Sequence, residues 1–227
     1  MIQSTGLQYR YPLGPQLQFP DVDVAQGAVL LLHGPSGCGK STWLALAAGL
    51  IRPEFGTLTV ADQPLQELRP AAVDAWRART IGFLPQKLHL SASLTVSQNL
   101  AMAQWAAGQK QDLSRIREAL MALDVAALAD RKPGQLSGGQ AQRVALARAV
   151  LLQPRVILAD EPTASLDDET AAAAVQLLVQ TAKRQHATLV IATHDARVAH
   201  CIPGGPSGEA GFGVLRLSRL AAPVGAA

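Results

Sequence analysis

A glycine-rich loop near the start of the chain carries residue types that can bind phosphate. It follows the apolar run 28–32 and precedes the helix-prone run 43–50, so it links a strand to a helix. Its glycines let backbone N–H groups surround phosphate oxygens, and the helix directs its positive N-terminal end at the same anion. We therefore expect Lys40 to contact the β- and γ-phosphates of a nucleotide and the Ser41 hydroxyl to bind Mg²⁺. The pattern G-x-x-x-x-G-K-[ST] is matched by Gly34, Pro35, Ser36, Gly37, Cys38, Gly39, Lys40, Ser41 and Thr42.

A second group of candidate anion ligands lies in the middle of the chain, directly before the amphipathic run 141–152. Here Leu136 is followed by Ser137, Gly138, Gly139 and Gln140. Serine is a favourable helix N-cap, and two glycines at a helix start expose amide donors. Alone, this pentapeptide could be a simple capped helix. Beside a phosphate-binding loop, it predicts a second site for the same kind of ligand.

Acidic and basic side chains follow two strongly apolar runs later in the chain. The run that starts at residue 156 ends in Asp160 and Glu161, and the run 187–193 ends at His194. Ligands of parallel sheets bind at the carboxyl ends of the strands. Asp160 can therefore hold Mg²⁺ through water, Glu161 can polarise a water that attacks the γ-phosphate, and His194 can hold that water. The remaining histidines lack such a setting and are assigned structural or surface roles: His33, His89, His186 and His200.

The hydrophobic pattern predicts an α/β fold around these residues. Strands are predicted over residues 56–60, 80–84, 156–161, 187–193 and 214–217, with several short ones within 7–23. The prolines and alternation in 7–23 indicate an antiparallel β edge layer beside the nucleotide, and 80–84 follows a polar, proline-bounded connection. From about residue 95 to 152 the spacing is helical, which predicts a helical lobe inserted into the α/β domain. Met102 and Trp105 are assigned to the core of that lobe.

Composition limits the class of protein. The 227 residues are 48% hydrophobic and 16% charged, which excludes a disordered chain and suits one large domain or two closely packed lobes. We find no secretion signal and no apolar run long enough to span a membrane, so any membrane role is expected to pass through a partner. The two cysteines, Cys38 and Cys201, are expected to be free thiols in a reducing cytoplasm.

Taken together, these motifs resemble those of the ATP-binding cassette (ABC) ATPases, over roughly residues 7–217. Residues 34–42 are similar to the Walker A loop of a P-loop NTPase core, 136–140 to the signature motif and 156–160 to Walker B. By the same resemblance, Gln86 is the Q-loop glutamine and Glu161 the catalytic glutamate. The sites implied are catalytic Glu161, His194, Lys40 and Gln86, and Mg²⁺ ligands Ser41, Gln86 and Asp160.

The resemblance also implies cofactors, partners and location. ATP and Mg²⁺ are the expected cofactors, with Tyr11 stacked on the adenine in preference to Tyr9. Two copies are expected to pack head to tail, so that the signature of one chain covers the ATP of the other. Asp167 is expected to belong to the D-loop, residues 165–167. An integral membrane permease is the other expected partner, which places the chain peripherally on the cytoplasmic face of the inner membrane. No nucleic acid partner is expected.

The resemblance implies how the chain is divided into lobes, but it is compatible with more than one branch of the family. Residues 1–87 and 153–227 form the expected nucleotide-binding lobe, and about 88–152 the helical lobe, in a single ABC ATPase domain. Residues 81–83 and 158–163 are similar to the lipoprotein-release and macrolide-export branch, which indicates export or extraction of a lipophilic substrate. Residues 85–86 and 164–167 are as typical of importers for small solutes. A soluble ABC ATPase in DNA repair or translation is a further alternative, although the chain has neither a long coiled coil nor a second cassette.

Overall fold

The centre of the protein is a parallel five-stranded sheet. A computed structural model describes residues 1–12, 14–164, 166–202 and 212–218. The sheet has the order β10-β4-β9-β8-β7, and every pair in it is parallel. Its strands are β4 (Val29–His33), β7 (Ile81–Leu84), β8 (Val156–Asp160), β9 (Thr188–Thr193) and β10 (Phe212–Arg216).

An antiparallel sheet lies against one side of this parallel sheet. Its longest strand, β1 (Ile2–Arg10), pairs with β2 (Gln16–Gln18), β3 (Val22–Val24) and β5 (Phe55–Val60). The short strand β6 (Gln63–Pro64) completes it next to β5. The predicted antiparallel edge layer is thereby confirmed.

Seven α-helices connect and cover the strands in the part of the chain that the structure describes. They are α1 (Lys40–Ala47), α2 (Pro70–Thr80), α3 (Val96–Ala106), α4 (Leu113–Ala122), α5 (Gly138–Val150), α6 (Asp168–Arg184) and α7 (Arg197–Cys201). Within the described residues, no helix combines the length and the apolar character that a membrane crossing requires.

Side chains alternate across the parallel strands and so build two cores. In β4, Leu31 packs with the buried residues of α3 to α6, whereas Leu30 and Leu32 pack with α1 and the antiparallel sheet. In β8, Ile157 and Val156 divide between the two sides in the same way. Burial on both faces explains why these strands are continuously apolar.

One helix was missed, and two side chains were assigned wrongly. The polar connection before β7 contains the helix α2, whose single strongly buried apolar residue, Val73, gave no amphipathic signal. Met102 and Trp105 are not core residues, because their relative exposures are 48% and 79%. Helical periodicity places them on α3 but does not tell which apolar residues face the protein interior.

Candidate nucleotide site

The phosphate-type loop joins β4 to α1, as the sequence predicts. Gly39 is the N-cap of α1 with φ of 100°, and a Cβ at this position would lie 3.1 Å from the Phe19 ring. Both facts require glycine here. A Cβ on Gly34 would approach the Leu217 carbonyl oxygen to 2.4 Å. The first glycine of the loop therefore packs directly against the chain that follows β10.

The Lys40 ammonium lies inside the loop. It donates to the carbonyl oxygens of Gly34 at 2.9 Å and Pro35 at 3.2 Å, and lies 3.2 Å from Glu161 Oε1. The residue is only 6% exposed. A buried ammonium needs partners of this kind, and phosphate oxygens can replace them.

The loop borders an open cavity of about 460 Å³ that brings together residues far apart in the sequence. Tyr11 stands at its edge, where its hydroxyl lies 3.1 Å from Thr42 Oγ1 and its ring meets the Tyr9 ring edge to face. The volume and polarity suit a phosphorylated small molecule. The predicted site residues that line it are Tyr11, Ser36, Gly37, Gly39, Lys40, Ser41, Thr42, Gln86, Glu161 and His194.

Glu161 is held from several sides at the end of β8. His194 Nδ1 lies 2.9 Å from its Oε1, and the Thr193 hydroxyl donates to its Oε2 at 2.9 Å. Burial raises the pKa of Glu161, but the hydrogen bonds from His194, Thr193 and Lys40 outweigh it, so the pKa is below its usual range. The carboxylate is therefore ionised in this arrangement. Its backbone has φ of 46°, an uncommon conformation for a side chain other than glycine.

Sequence reasoning missed Thr193. Its hydroxyl orients Glu161 and also accepts a hydrogen bond from the Asp195 backbone N–H at 3.0 Å. The available signal was a hydroxyl residue at the end of an otherwise apolar strand, directly before His194.

Asp160 fits a role as a metal ligand. Its Oδ1 is buried without a hydrogen-bond partner among the described residues. Burial raises the pKa of Asp160, with a contribution from the Glu161 charge, while the Ser41 hydroxyl and Lys40 lower it in part. Hydroxyl, amide and carboxylate oxygens from Ser41, Gln86 and Asp160 form a donor set that suits Mg²⁺.

Asp160→Asn is expected to stabilise the nucleotide-free protein at neutral pH, because it removes a partly buried charge. Since burial raises the pKa of Asp160, ionisation costs stability as the pH rises through that pKa. Below the usual pKa of 3.8 the carboxyl is protonated in both states and the difference vanishes. Thermal unfolding with EDTA between pH 4 and 8 measures the effect. A variant that is less stable than wild type at pH 8 contradicts it.

The signature residues lie away from this cavity, at the start of α5. Ser137 is the N-cap of α5, and its hydroxyl accepts from the Gln140 N–H at 3.2 Å, while the Gln140 side chain accepts from the Ser137 N–H at 3.0 Å. No atom lies within 4 Å of where a Cβ on Gly138 or Gly139 would be, so the space beside these two residues is open.

Two other predicted residues have structural surroundings of their own. Asp167 is the N-cap of α6 and accepts from the Thr170 N–H and hydroxyl, and these bonds lower its pKa. Its predicted neighbour Ser165 lies outside the described residues. The Cys38 side chain is 6% exposed and lines a separate cavity with Phe19 and Leu217, so only its backbone can face the nucleotide.

Comparison with known proteins identifies the family. A family model described as ABC transporter matches residues 17–164, more than half of the chain. The lipoprotein-releasing system ATP-binding protein LolD of Chromohalobacter salexigens is 39% identical over 88% of this chain and 86% of its own length. An uncharacterized ABC transporter ATP-binding protein of Mycobacterium tuberculosis is 39% identical over 78% of this chain, and the matched region is 54% of that protein's own length.

The fold is shared with solved cassettes. A dimeric structure of a post-hydrolysis state of the ATP-binding cassette MJ0796, bound to ADP and Pi, is 31% identical, with a TM-score of 0.78 over 88% of this chain and 91% of the other. Fold, sequence and the arrangement of the cavity agree. The chain belongs to the ABC transporter family and is an ATP-binding cassette, an ATPase that powers transport.

Proposed function

We propose that this ATPase powers a transporter that extracts lipoproteins or a similar lipophilic substrate from a membrane. The observation that carries the proposal is the likeness to the lipoprotein-releasing protein of Chromohalobacter salexigens, which extends over most of both chains. A second lipoprotein-releasing relative, from Caulobacter vibrioides, is 39% identical over 82% of this chain. An importer of small solutes is the competing function, since residues 85–86 and 164–167 are as typical of that class.

The catalytic roles follow from chemistry at the cavity. The loop amides and Lys40 bind the phosphates, and Tyr11 stacks on the adenine. When bound, Mg²⁺ neutralises phosphate charge, and Ser41, Gln86 and Asp160 would hold it. Glu161 accepts the proton of the attacking water, and His194 orients the γ-phosphate and that water. Phosphate oxygens compete with Glu161 for the Lys40 ammonium, so ATP binding releases the base from its ion pair.

Two copies complete each ATP site. Ser137, Gly138, Gly139 and Gln140 of one chain contact the ATP held by the other chain, and Asp167 lies at their interface. The open space beside the glycines at the start of α5 supports this arrangement, because a helix N-terminus suits an anion and this one lies outside its own chain's nucleotide cavity. ATP then stabilises the dimer only through contacts that the open state lacks.

The permease is proposed to bind in a groove between the two lobes. One lobe comprises residues 1–87 and 153–227, and the helical lobe comprises about 88–152. A groove of about 550 Å³ supports this, with walls from α2, β7, α3 and α5. Met102 lines it, and Trp105 stands exposed on the same helix. Exposed apolar residues beside a groove suit a helix of a partner protein. The chain would then lie peripherally on the cytoplasmic face of the inner membrane.

Capture of the complex tests the transport function. Tagged Glu161→Gln protein is expressed in the native host, held with ATP and Mg²⁺, and purified from solubilised membranes, with Lys40→Ala protein as the control that binds ATP more weakly. A co-purified subunit with few membrane spans and a large extracytoplasmic domain supports extraction. A many-span permease supports import, and only cytosolic protein or nucleic acid contradicts a transport function.

Lys40→Ala is expected to weaken ATP binding by roughly ten- to a hundredfold, because charge-assisted hydrogen bonds contribute about 1.5 to 3 kcal/mol. Titration with a fluorescent ATP analogue measures the change. Lys110→Ala removes an exposed lysine between α3 and α4 and serves as the control for lost charge. Equal affinity in Lys40→Ala and wild-type protein would remove Lys40 from the phosphate site.

A further inference from the structure

Arg148, near the end of α5, makes a contact that the proposed chemistry does not use. Its guanidinium donates to two successive backbone carbonyl oxygens, from Nη2 to Leu88 at 2.7 Å and from Nη1 to His89 at 2.8 Å. Burial lowers the pKa of Arg148, so the group is partly removed from water and depends on these acceptors. The contact ties the helix that begins at the signature to the segment that follows Gln86.

Gln86 is held between two fixed points. Before it, β7 packs closely on α5, since a Cβ on Gly82 would lie 2.4 Å from the Ala149 carbonyl oxygen. After it, the carbonyls of Leu88 and His89 are bound by Arg148, the residue next to Ala149. Gln86 itself is exposed and lines the nucleotide cavity. Both ends of the segment that carries Gln86 are therefore attached to the same turn of α5.

The segment that follows Gln86 contains a turn with an uncommon backbone conformation. His89 has φ of 47°, a conformation that residues other than glycine rarely adopt, so this turn needs support from outside. Farther along, Asn99 holds the chain again by accepting from the Ser91 N–H at 2.7 Å and donating to the Thr95 carbonyl at 2.9 Å. Between these two regions, Arg148 binds the carbonyls of Leu88 and His89, and the side chains of Leu88 and Leu90 pack against the core.

Arg148 also forms part of the wall of the groove assigned to the permease. It lines that groove with Met102 on α3 and Phe83 on β7. A helix seated there would touch the same guanidinium that holds Leu88 and His89. One side chain thus contacts the groove, the signature helix and the segment of Gln86.

We propose that Arg148 is a positioning residue that keeps Gln86 directed at the nucleotide cavity and couples its position to the permease groove. This inference rests on the proposed function for the role of Gln86. A guanidinium bridges two carbonyls with its planar fork, which an ammonium or an amide cannot reproduce. Arg148→Lys should therefore retain part of the effect and Arg148→Gln little of it.

Backbone ¹⁵N relaxation tests the positioning directly. In nucleotide-free Arg148→Gln protein, the order parameters of residues 86–90 should fall from the rigid range of about 0.85 toward the flexible range below about 0.6, while those of α6 stay unchanged. The matched control is Arg155→Gln, because Arg155 likewise binds a backbone carbonyl, that of Ala61, together with Asp62, at the far edge of the antiparallel sheet. Unchanged order parameters at 86–90 in folded Arg148→Gln protein overturn the proposal.

Kinetics supply the second readout. In Arg148→Gln, kcat should fall about tenfold and half-saturation with Mg²⁺ should rise, because misplaced ligands lose more in catalysis than in binding. ATP affinity without Mg²⁺ should stay within about twofold, since Lys40 and the loop are untouched. Arg155→Gln should hydrolyse ATP at the wild-type rate. An equal loss of kcat in Arg148→Gln and Arg155→Gln would show that Arg148 only stabilises the fold, which contradicts the proposal.

A variant on the other side of the contact covers the case in which Arg148→Gln fails to fold. His89→Val keeps Arg148 but disfavours the left-handed conformation, so it should lower the order parameters of residues 86–90 and raise the Mg²⁺ requirement in the same way. His89→Gly, which adopts that conformation freely, should retain more activity than His89→Val. Because the order parameters are measured without nucleotide, a wild-type protein lacking ATPase activity would refute the proposed function while leaving the positioning test decisive.

Discussion

Glu161→Gln protein is expected to bind ATP as tightly as wild type but to hydrolyse it at least about 100-fold more slowly, the usual contribution of a general base. Glutamine keeps the shape of the side chain but cannot accept the proton of the attacking water. The ion pair with Lys40 is also lost, which leaves the ammonium more available to phosphate. Slow turnover then preserves the ATP-bound dimer.

Two measurements check this expectation. Phosphate release gives kcat, and sedimentation with and without Mg²⁺-ATP gives the fraction of dimer. Addition of Mg²⁺-ATP should raise the fraction of dimer in Glu161→Gln, which retains ATP, and not in wild type, which hydrolyses it. Glu118→Gln neutralises a carboxylate on α4, far from β8, and should turn over ATP like wild type. A fully active Glu161→Gln enzyme would show that another group is the base.

Ser137→Arg is expected to leave ATP binding by the monomer intact and to abolish hydrolysis. The arginine would fill the open space beside Gly138 and Gly139, so the amides at the start of α5 could no longer reach the partner's ATP. Loss of an N-cap alone costs about 1 kcal/mol of stability, so an independent control is needed. Steady-state ATPase activity and nucleotide titration on the same preparation separate turnover from binding.

The chain offers a matched control and a complementation test. Thr95 caps α3 through the same reciprocal pair of hydrogen bonds with Gln98, so Thr95→Arg loses an equivalent cap away from the signature. It should keep its turnover. Mixing Ser137→Arg with Lys40→Ala should restore part of the activity, since one of the two sites in the mixed dimer then has both an intact loop and an intact signature. No recovery in the mixture, or normal turnover in Ser137→Arg, contradicts the head-to-tail arrangement.

Much of the candidate site could be predicted because its residues lie at the ends of elements with strong local signals. Glu161 and His194 each follow a continuously apolar strand, and parallel strands bring such ends to one edge of the sheet. Their meeting with Lys40 in one cavity follows from β4 and β8 both pairing with β9. For this reason the sequence alone indicates where Lys40, Glu161 and His194 should meet.

Other features depend on contacts that no local pattern records. The ion pair between Lys40 and Glu161 and the left-handed conformation of Glu161 arise only when two distant segments meet. The exposure of Trp105 likewise depends on what packs around α3, because apolar residues of a helix look alike whether they face the core or a partner. The hold of Arg148 on Leu88 and His89 joins residues about 60 positions apart.

The position of β4 in its sheet has a consequence for biosynthesis. Both neighbours of β4 in the parallel sheet, β9 and β10, are translated after almost all of the rest of the chain. Leu217, which packs against Gly34, emerges later still. A growing polypeptide can therefore complete the antiparallel sheet early, but it cannot place Gly34 against Leu217 until β10 has left the ribosome. Long-range pairing of this kind folds slowly, so nucleotide binding is expected only after β10 has been synthesised.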